Sequence, residues 1–224
     1  MENNESKKTF LMETVLPLIP EGTFEEIVNF RELMVMYNAA IREVTTKLEI
    51  LNDELSLDSR KNPIQFVKSR VKKPLSIAGK LNRLEKELSV ESIMNCLDDV
   101  AGIRVICSFI DDVYKIAEML IRQDDIVLVE AKDYIENPKP NGYRSYHLII
   151  EVPVFFSDKK QWVKVEIQIR TVAMDFWASL EHQLKYKNDI DNEEEIESKL
   201  KECAETIANT DVEMMRIRNQ IEDS

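Results

Sequence analysis

The chain has 224 residues, 44% of them hydrophobic, with four glycines and seven prolines, and a net charge of −12. That composition describes a globular protein of one domain, or of one domain with helical extensions, and excludes low-complexity and collagen-like chains. The charge is uneven: residues 60–88 hold nine bases against two acids, residues 1–59 hold 12 acids against five bases, and residues 189–224 hold 12 acids against four. An acidic chain with one short basic block is poorly suited to tracking a nucleic-acid backbone and better suited to a small, multiply phosphorylated ligand.

No apolar run approaches the roughly 20 residues of a membrane span, and MENNESKKTF lacks a basic-then-apolar leader layout, so a cytoplasmic location is expected. In LMETVLPLIP two prolines prevent a long helix. From Ile27 the apolar positions Ile27, Phe30, Met34, Tyr37, Ile41, Val44, Leu48, Leu51 and Leu55 recur in steps of three and four, predicting a helix of about eight turns with a heptad seam.

Asn62 before Pro63 reads as an N-cap and first position of a short helix through Val67. In SRVKKPLSIAGKL, Arg70 and Lys72 share one face of an extended segment, and Pro74 starts a helix carrying Ser76 and Lys80 one turn apart. These groups converge either as an anion site at a helix amino terminus or as a solvated basic face. LDDVAGIRVICSF then sets Asp98 and Asp99 before a strand, Val100 to Phe109, that is almost wholly apolar except for Arg104. Acids at a strand edge suit Mg²⁺, which takes one or two carboxylates plus substrate phosphates.

Asp111 reads as the cap of a helix reaching Gln123, and IVLVEAKDY as a strand. After the loop Asn137, Pro138, Lys139, Pro140 comes a hairpin from Asn141 to Thr171. Its second arm alternates Val163, Val165, Ile167 and Ile169 with Lys164, Glu166, Gln168 and Arg170. Its first arm opens with Gly142, Tyr143, Arg144, Tyr146 and His147, residue types that stack on bases and grip phosphates. A helix follows whose stripe of Ala173, Phe176, Trp177, Leu180 and Leu184 reads as core, with Glu181 and His182 structural beside it. Finally Ile196, Leu200, Cys203, Ile207, Thr210, Met214, Ile217 and Ile221 form a second seam, weak at Thr210. The two seams either pair with each other or build an oligomer. Cys96, Cys107 and Cys203 are odd in number without CxxC spacing, so they are expected as thiols.

The elements sum to an α/β (α+β) arrangement, a mixed sheet of about five strands flanked by helices. The expected organisation is an amino-terminal extension and long helix over 1–60, a central domain over 61–188 and an acidic, oligomerising helix over 189–224.

The motifs RVKxxxSIxxK, DxAGIR, NGYRSYH and VEIQIRT, in this order from Pro63 to Lys187, resemble the synthetase domain of the RelA/SpoT homologue family, and most of all its stand-alone small alarmone synthetases. The resemblance implies a nucleotidyltransferase-like fold and Mg²⁺-dependent transfer of pyrophosphate from ATP to the 3'-hydroxyl of GDP or GTP, with GMP a further candidate. The product would be the stringent-response alarmone (p)ppGpp. It further implies that Arg70, Lys72, Ser76 and Lys80 bind ATP, that Arg70 and Arg104 sandwich the adenine, and that Asp99 holds Mg²⁺. Glu166 would ligate metal or take the hydroxyl proton. Tyr143 would stack on guanine, with Lys132, Lys139, Arg144, His147 and Gln168 on the acceptor nucleotide. A cytoplasmic homotetramer is the implied assembly, with no membrane and no DNA.

The competing reading is a non-catalytic nucleotide- or RNA-binding regulator using the same basic and aromatic surface on single strands. Nothing in the sequence specifically favours RNA. A polymerase-like nucleotidyltransferase would carry a Gly-Ser turn followed by a DxD pair, and no Gly-Ser dipeptide occurs. An alarmone hydrolase would need a His-Asp metal motif, yet neither His147 nor His182 precedes an aspartate.

Overall fold

The computed structural model describes residues 23–58, 62–186 and 193–223. The LMETVLPLIP segment and Lys187, the far end of the resemblance, lie outside them. In chain order the elements are α1 (Thr23–Asp58), β1 (Ile64–Val71), α2 (Pro74–Arg83), α3 (Val90–Cys96), β2 (Ala101–Cys107), α4 (Ile110–Ile121), β3 (Val127–Asp133), β4 (Tyr146–Phe155), β5 (Lys160–Thr171), α5 (Val172–Tyr186) and α6 (Glu193–Glu222). The five strands form one sheet in the order β1-β2-β5-β4-β3. Only β2 and β5 run parallel; the other neighbours are antiparallel. The fold is thus the mixed five-stranded α/β arrangement expected from the sequence.

One sheet face is the core. The alternation in β5 turns Val163, Val165, Ile167 and Ile169 onto it, beside Leu148, Ile150 and Val152 of β4 and Ile103 and Val105 of β2. Leu33, Tyr37, Val44, Leu48 and Leu51 of α1 pack there with Val113, Ile116 and Leu120 of α4. Most of the seam of α1 therefore serves the core. Truncating a residue such as Leu48, fully buried, would cost about 2 to 5 kcal/mol.

Residues 64–71 are a strand, not the helix expected from Asn62 and Pro63. β1 is an edge strand with little burial, so it shows no clean alternation. Pro63 stands just before it, where a missing donor costs the ladder nothing. The Ile64 amide donates to Asn52 Oδ1 of α1, and the Pro63 carbonyl accepts from Ser108.

Asp111 does not cap α4. Phe109 is the N-cap and its amide donates to Asp112 Oδ2, while Asp111 forms a two-pronged ion pair with Arg218 of α6 at 3.0 and 2.7 Å. The stripe of α5 is only partly core: Trp177 and Ala178 are buried, whereas Phe176, Leu180 and Leu184 are exposed. In α6 the inward face is one residue off the expected seam, because Ala204 and Asp211 are buried while Cys203 and Thr210 are exposed. Helix α6 packs on α5 and reaches α4, whereas α1 lies across the sheet. Cys96, Cys107 and Cys203 are all free thiols.

Candidate active site

The sheet face opposite α1 is polar because of register. Lys68, Arg104, Gln168, His147 and Lys132 are successive cross-strand partners, one from each strand, and so form a single row across the sheet. The adjacent row runs Arg70, Gly102, Glu166 and Ile149. A cleft of about 270 Å³ opens over these rows, lined by Lys68, Arg70, Asp99, Arg104, Glu166 and Gln168.

Asp99 stands just before β2, with its Oδ2 2.5 Å from Lys72 Nζ and its Oδ1 2.8 Å from Lys80 Nζ. Burial pushes its carboxyl upward, and the two bonded lysines more than offset that, holding it below the usual aspartate range. The neighbouring Asp98 points elsewhere, pairing with Lys164 at 2.9 Å. Lys80 comes from α2, whose Pro74 occupies the first turn and whose N-cap, Lys73, makes no side-chain cap. Ser76 is exposed in that turn, which holds no acid to neutralise the helix dipole.

Glu166 is mostly buried on β5. Its Oε1 lies 3.4 Å from His147 Nδ1, and its Oε2 accepts from Gln168 Nε2 at 3.1 Å. Burial raises this carboxyl and Asp99 adds to the rise, but the His147 and Gln168 contacts bring it below the usual glutamate range. Beyond His147 the contacts continue: Tyr143 Oη is 2.8 Å from His147 Nε2, and Arg170 donates to Tyr143 Oη at 2.6 Å. Arg170 and Arg104 share Asp175 Oδ1, at 3.1 and 3.2 Å. Arg104 Nε is buried with no acceptor, the kind of unspent donor that a ligand supplies with a partner.

Lys139 sits over the rings of Tyr134 and Tyr143, at 4.7 and 4.9 Å. Lys132 is half exposed on the edge strand, paired with Glu130 at 2.7 Å. Arg144 is turned the other way, donating to the carbonyls of Gly142 and Ala204. The structure therefore brings Arg70, Lys72, Lys80, Asp99, Arg104, Glu166 and Gln168 together, with Tyr143, His147 and Lys139 on one flank and Arg144 against α6. Sequence reasoning did not single out Tyr134, Ser145 or Arg170 for this site. Arg170 had a visible place on the polar face of β5, but its burial depends on elements distant in sequence.

Two carboxylates facing one cleft are a hard-oxygen donor set that suits Mg²⁺, the remaining positions being taken by phosphate oxygens and water. Among the described residues no cluster of three or more His, Cys, Asp or Glu is poised to hold a metal unaided.

A family model described as a region found in RelA / SpoT proteins matches residues 69–191. The chain belongs to the RelA/SpoT family. It is 43% identical to the GTP pyrophosphokinase YwaC of Bacillus subtilis (strain 168), over 87% of this chain and 92% of that protein. The fold is similar to the small alarmone synthetase 1 from Bacillus subtilis bound to its product pppGpp, with a TM-score of 0.78 at 36% identity, covering 86% of this chain and 97% of that one. The same synthetase bound to AMPCPP gives 0.72 at 34% identity, over 87% and 98% of the two chains. The RelA/SpoT match begins inside β1, just after Lys68, and takes in the rest of the polar face just described.

Proposed function

We propose that this chain is a GTP pyrophosphokinase that makes (p)ppGpp, moving pyrophosphate from ATP to the 3'-hydroxyl of GDP or GTP, with GMP a further acceptor. The observation that carries the reading is that Asp99 and Glu166 face the same cleft as Arg70 and Arg104, with Lys72 and Lys80 on Asp99. The kinship with YwaC and with the pppGpp-bound synthetase supports it.

In the mechanism this suggests, the acceptor's 3'-oxygen attacks the β-phosphorus of ATP, the bond from that phosphorus to the α,β-bridging oxygen breaks, and AMP leaves. Glu166 takes the hydroxyl proton. Arg70 and Arg104 hold the adenine, while Lys72, Lys80, Ser76 and the open first turn of α2 receive the polyphosphate. Tyr143 stacks on the guanine, with Lys132, Lys139, His147 and Gln168 contributing to the acceptor side, while Arg144, turned onto α6, holds the loop that carries Tyr143. Mg²⁺, held by Asp99 and Glu166, would neutralise charge developing on the transferred phosphates.

The catalytic part is 61–188, framed by 1–60 and 189–224. A homotetramer in the cytoplasm is the assembly proposed, supported by the exposed Met214, Ile217 and Ile221 on α6. Among the described residues no helix is long and apolar enough to cross a membrane. The test is incubation with Mg²⁺, labelled ATP and GMP, GDP or GTP in turn. Label should appear in a guanosine 3'-diphosphate product with AMP released; nucleotide binding without any such product would favour the regulator reading.

A further inference from the structure

Arg170 is only 3% exposed, yet it carries a full guanidinium charge that burial penalises unless it is well bonded. It donates through Nη2 to Tyr143 Oη at 2.6 Å and Gln168 Oε1 at 2.9 Å, through Nη1 to Asp175 at 3.1 Å, and through Nε to Ser145 Oγ at 3.4 Å. Each bond has a direction, and the directions propagate. Because Tyr143 Oη accepts from Arg170, its own hydrogen is available to His147 Nε2 at 2.8 Å. Nδ1 faces Glu166 Oε1, which only accepts, so neutral His147 carries its hydrogen on Nδ1 and leaves Nε2 to accept from the Tyr143 hydroxyl that Arg170 holds in place. Likewise Gln168, with its oxygen on Arg170, must turn its amide nitrogen to Glu166 Oε2.

Both oxygens of Glu166 thus meet donors that are held from behind by one buried side chain that does not itself line the cleft. We infer that Arg170 is a positioning residue for the transfer reaction: through Tyr143 and Gln168 it fixes the His147 tautomer and the Gln168 amide so that both donate to Glu166. The inference rests on the proposed role of Glu166 for its effect on rate, but its structural content stands apart from activity. It also gives the Tyr143 hydroxyl a task separate from the stacking of its ring.

The test uses the full chain. It contains two histidines, so a ¹⁵N spectrum of the imidazole nitrogens, assigned with His182→Gln, reads His147 directly near neutral pH without nucleotide or metal. Wild type should show the Nδ1–H tautomer, and Tyr143→Phe and Arg170→Met should lose that fixed preference. A wild-type Nε2–H tautomer overturns the inference whatever the enzyme makes.

In steady-state assays Tyr143→Phe keeps the ring, so kcat should fall about 10- to 100-fold, the range for losing a residue that orients a site group, with the acceptor KM nearly unchanged. Unaltered kcat also overturns the inference. Arg170→Lys keeps the charge but not the fork, and it should recover thermal stability relative to Arg170→Met without recovering kcat. Recovery of both together would mark Arg170 as merely structural. If Arg170→Met fails to fold, Tyr143→Phe still decides. Absence of any transfer by wild type would instead count against the proposed function, leaving the spectrum to judge Arg170.

Discussion

Gly142 and Ala204 lie so close that a β-carbon built on Gly142 would come within 2.6 Å of Ala204 Cβ. Gly142 also holds φ at +90°, a left-handed conformation that other residues adopt only at a cost. The loop that delivers Tyr143 is therefore seated directly on α6. It is pinned there by the Arg144 bond to the Ala204 carbonyl, and tied to α5 by Asn141 donating to Glu181. Gly142→Ala should cost about 1 to 3 kcal/mol from the backbone alone. It should also raise the acceptor KM more than the ATP KM, because in the proposed mechanism the loop serves only the acceptor side. Melting curves and two-substrate kinetics check both parts.

Glu166→Gln preserves shape and removes charge. Transfer should fall at least about 10²-fold, the lower bound for losing a general base, while the melting temperature changes little. Near-normal turnover with unchanged stability would remove Glu166 from the chemistry.

Tyr143→Ala removes the ring itself. A stacked aromatic contributes on the order of 1 to 3 kcal/mol per base, so the acceptor KM should rise roughly tenfold or more, with ATP dependence affected much less. The ring also touches Trp177 and Ala204 neighbours in a small apolar cluster, so a modest loss of stability should accompany it. Equal shifts for both substrates would end the guanine-stacking role.

Asp211 offers a pH test away from the cleft. It is 6% exposed; burial pushes its carboxyl above the ordinary range, partly countered by the hydrogen bond from Thr171 Oγ1. A raised value in the folded state means that, above the ordinary aspartate value, the folded chain keeps a proton the unfolded chain has lost. Stability is then highest below that ordinary value and declines as pH rises through the raised one. Asp211→Asn should melt higher than wild type at neutral pH, by about 2 to 4 °C for each kcal/mol relieved. The gap should close as the pH approaches about 4. A gap independent of pH would exclude the carboxyl as its origin.

Much of the site was legible because its strands alternate. Glu166 announced itself as the acid among Lys164, Gln168 and Arg170, and Asp99 and Arg104 by standing at and within an apolar strand. Position relative to distant chain was not legible. The orientation of Arg144 depends on α6, and the burial of Arg170 depends on Tyr143, Asp175 and Ser145, which approach it only after folding. β1 was misread because an edge strand owes its shape to pairing with β2 instead of to a buried face of its own. In α6, Asp211 belongs to the inward face, a place that hydrophobicity alone assigns to an apolar residue.

The polar row from Lys68 to Lys132 draws one residue from every strand, with its members' spacing set by the hydrogen-bond ladders. Sliding β5 by a single residue would present Val165 and Ile167 to the nucleotides and drive Glu166 and Gln168 into oil, emptying the cleft and spoiling the core in the same stroke. A misassembled sheet therefore cannot persist as a sluggish or unregulated enzyme. Quality control of the fold and quality control of the signal are one event, a useful property in a protein whose unscheduled activity would deplete its own cell's ATP and guanine nucleotides.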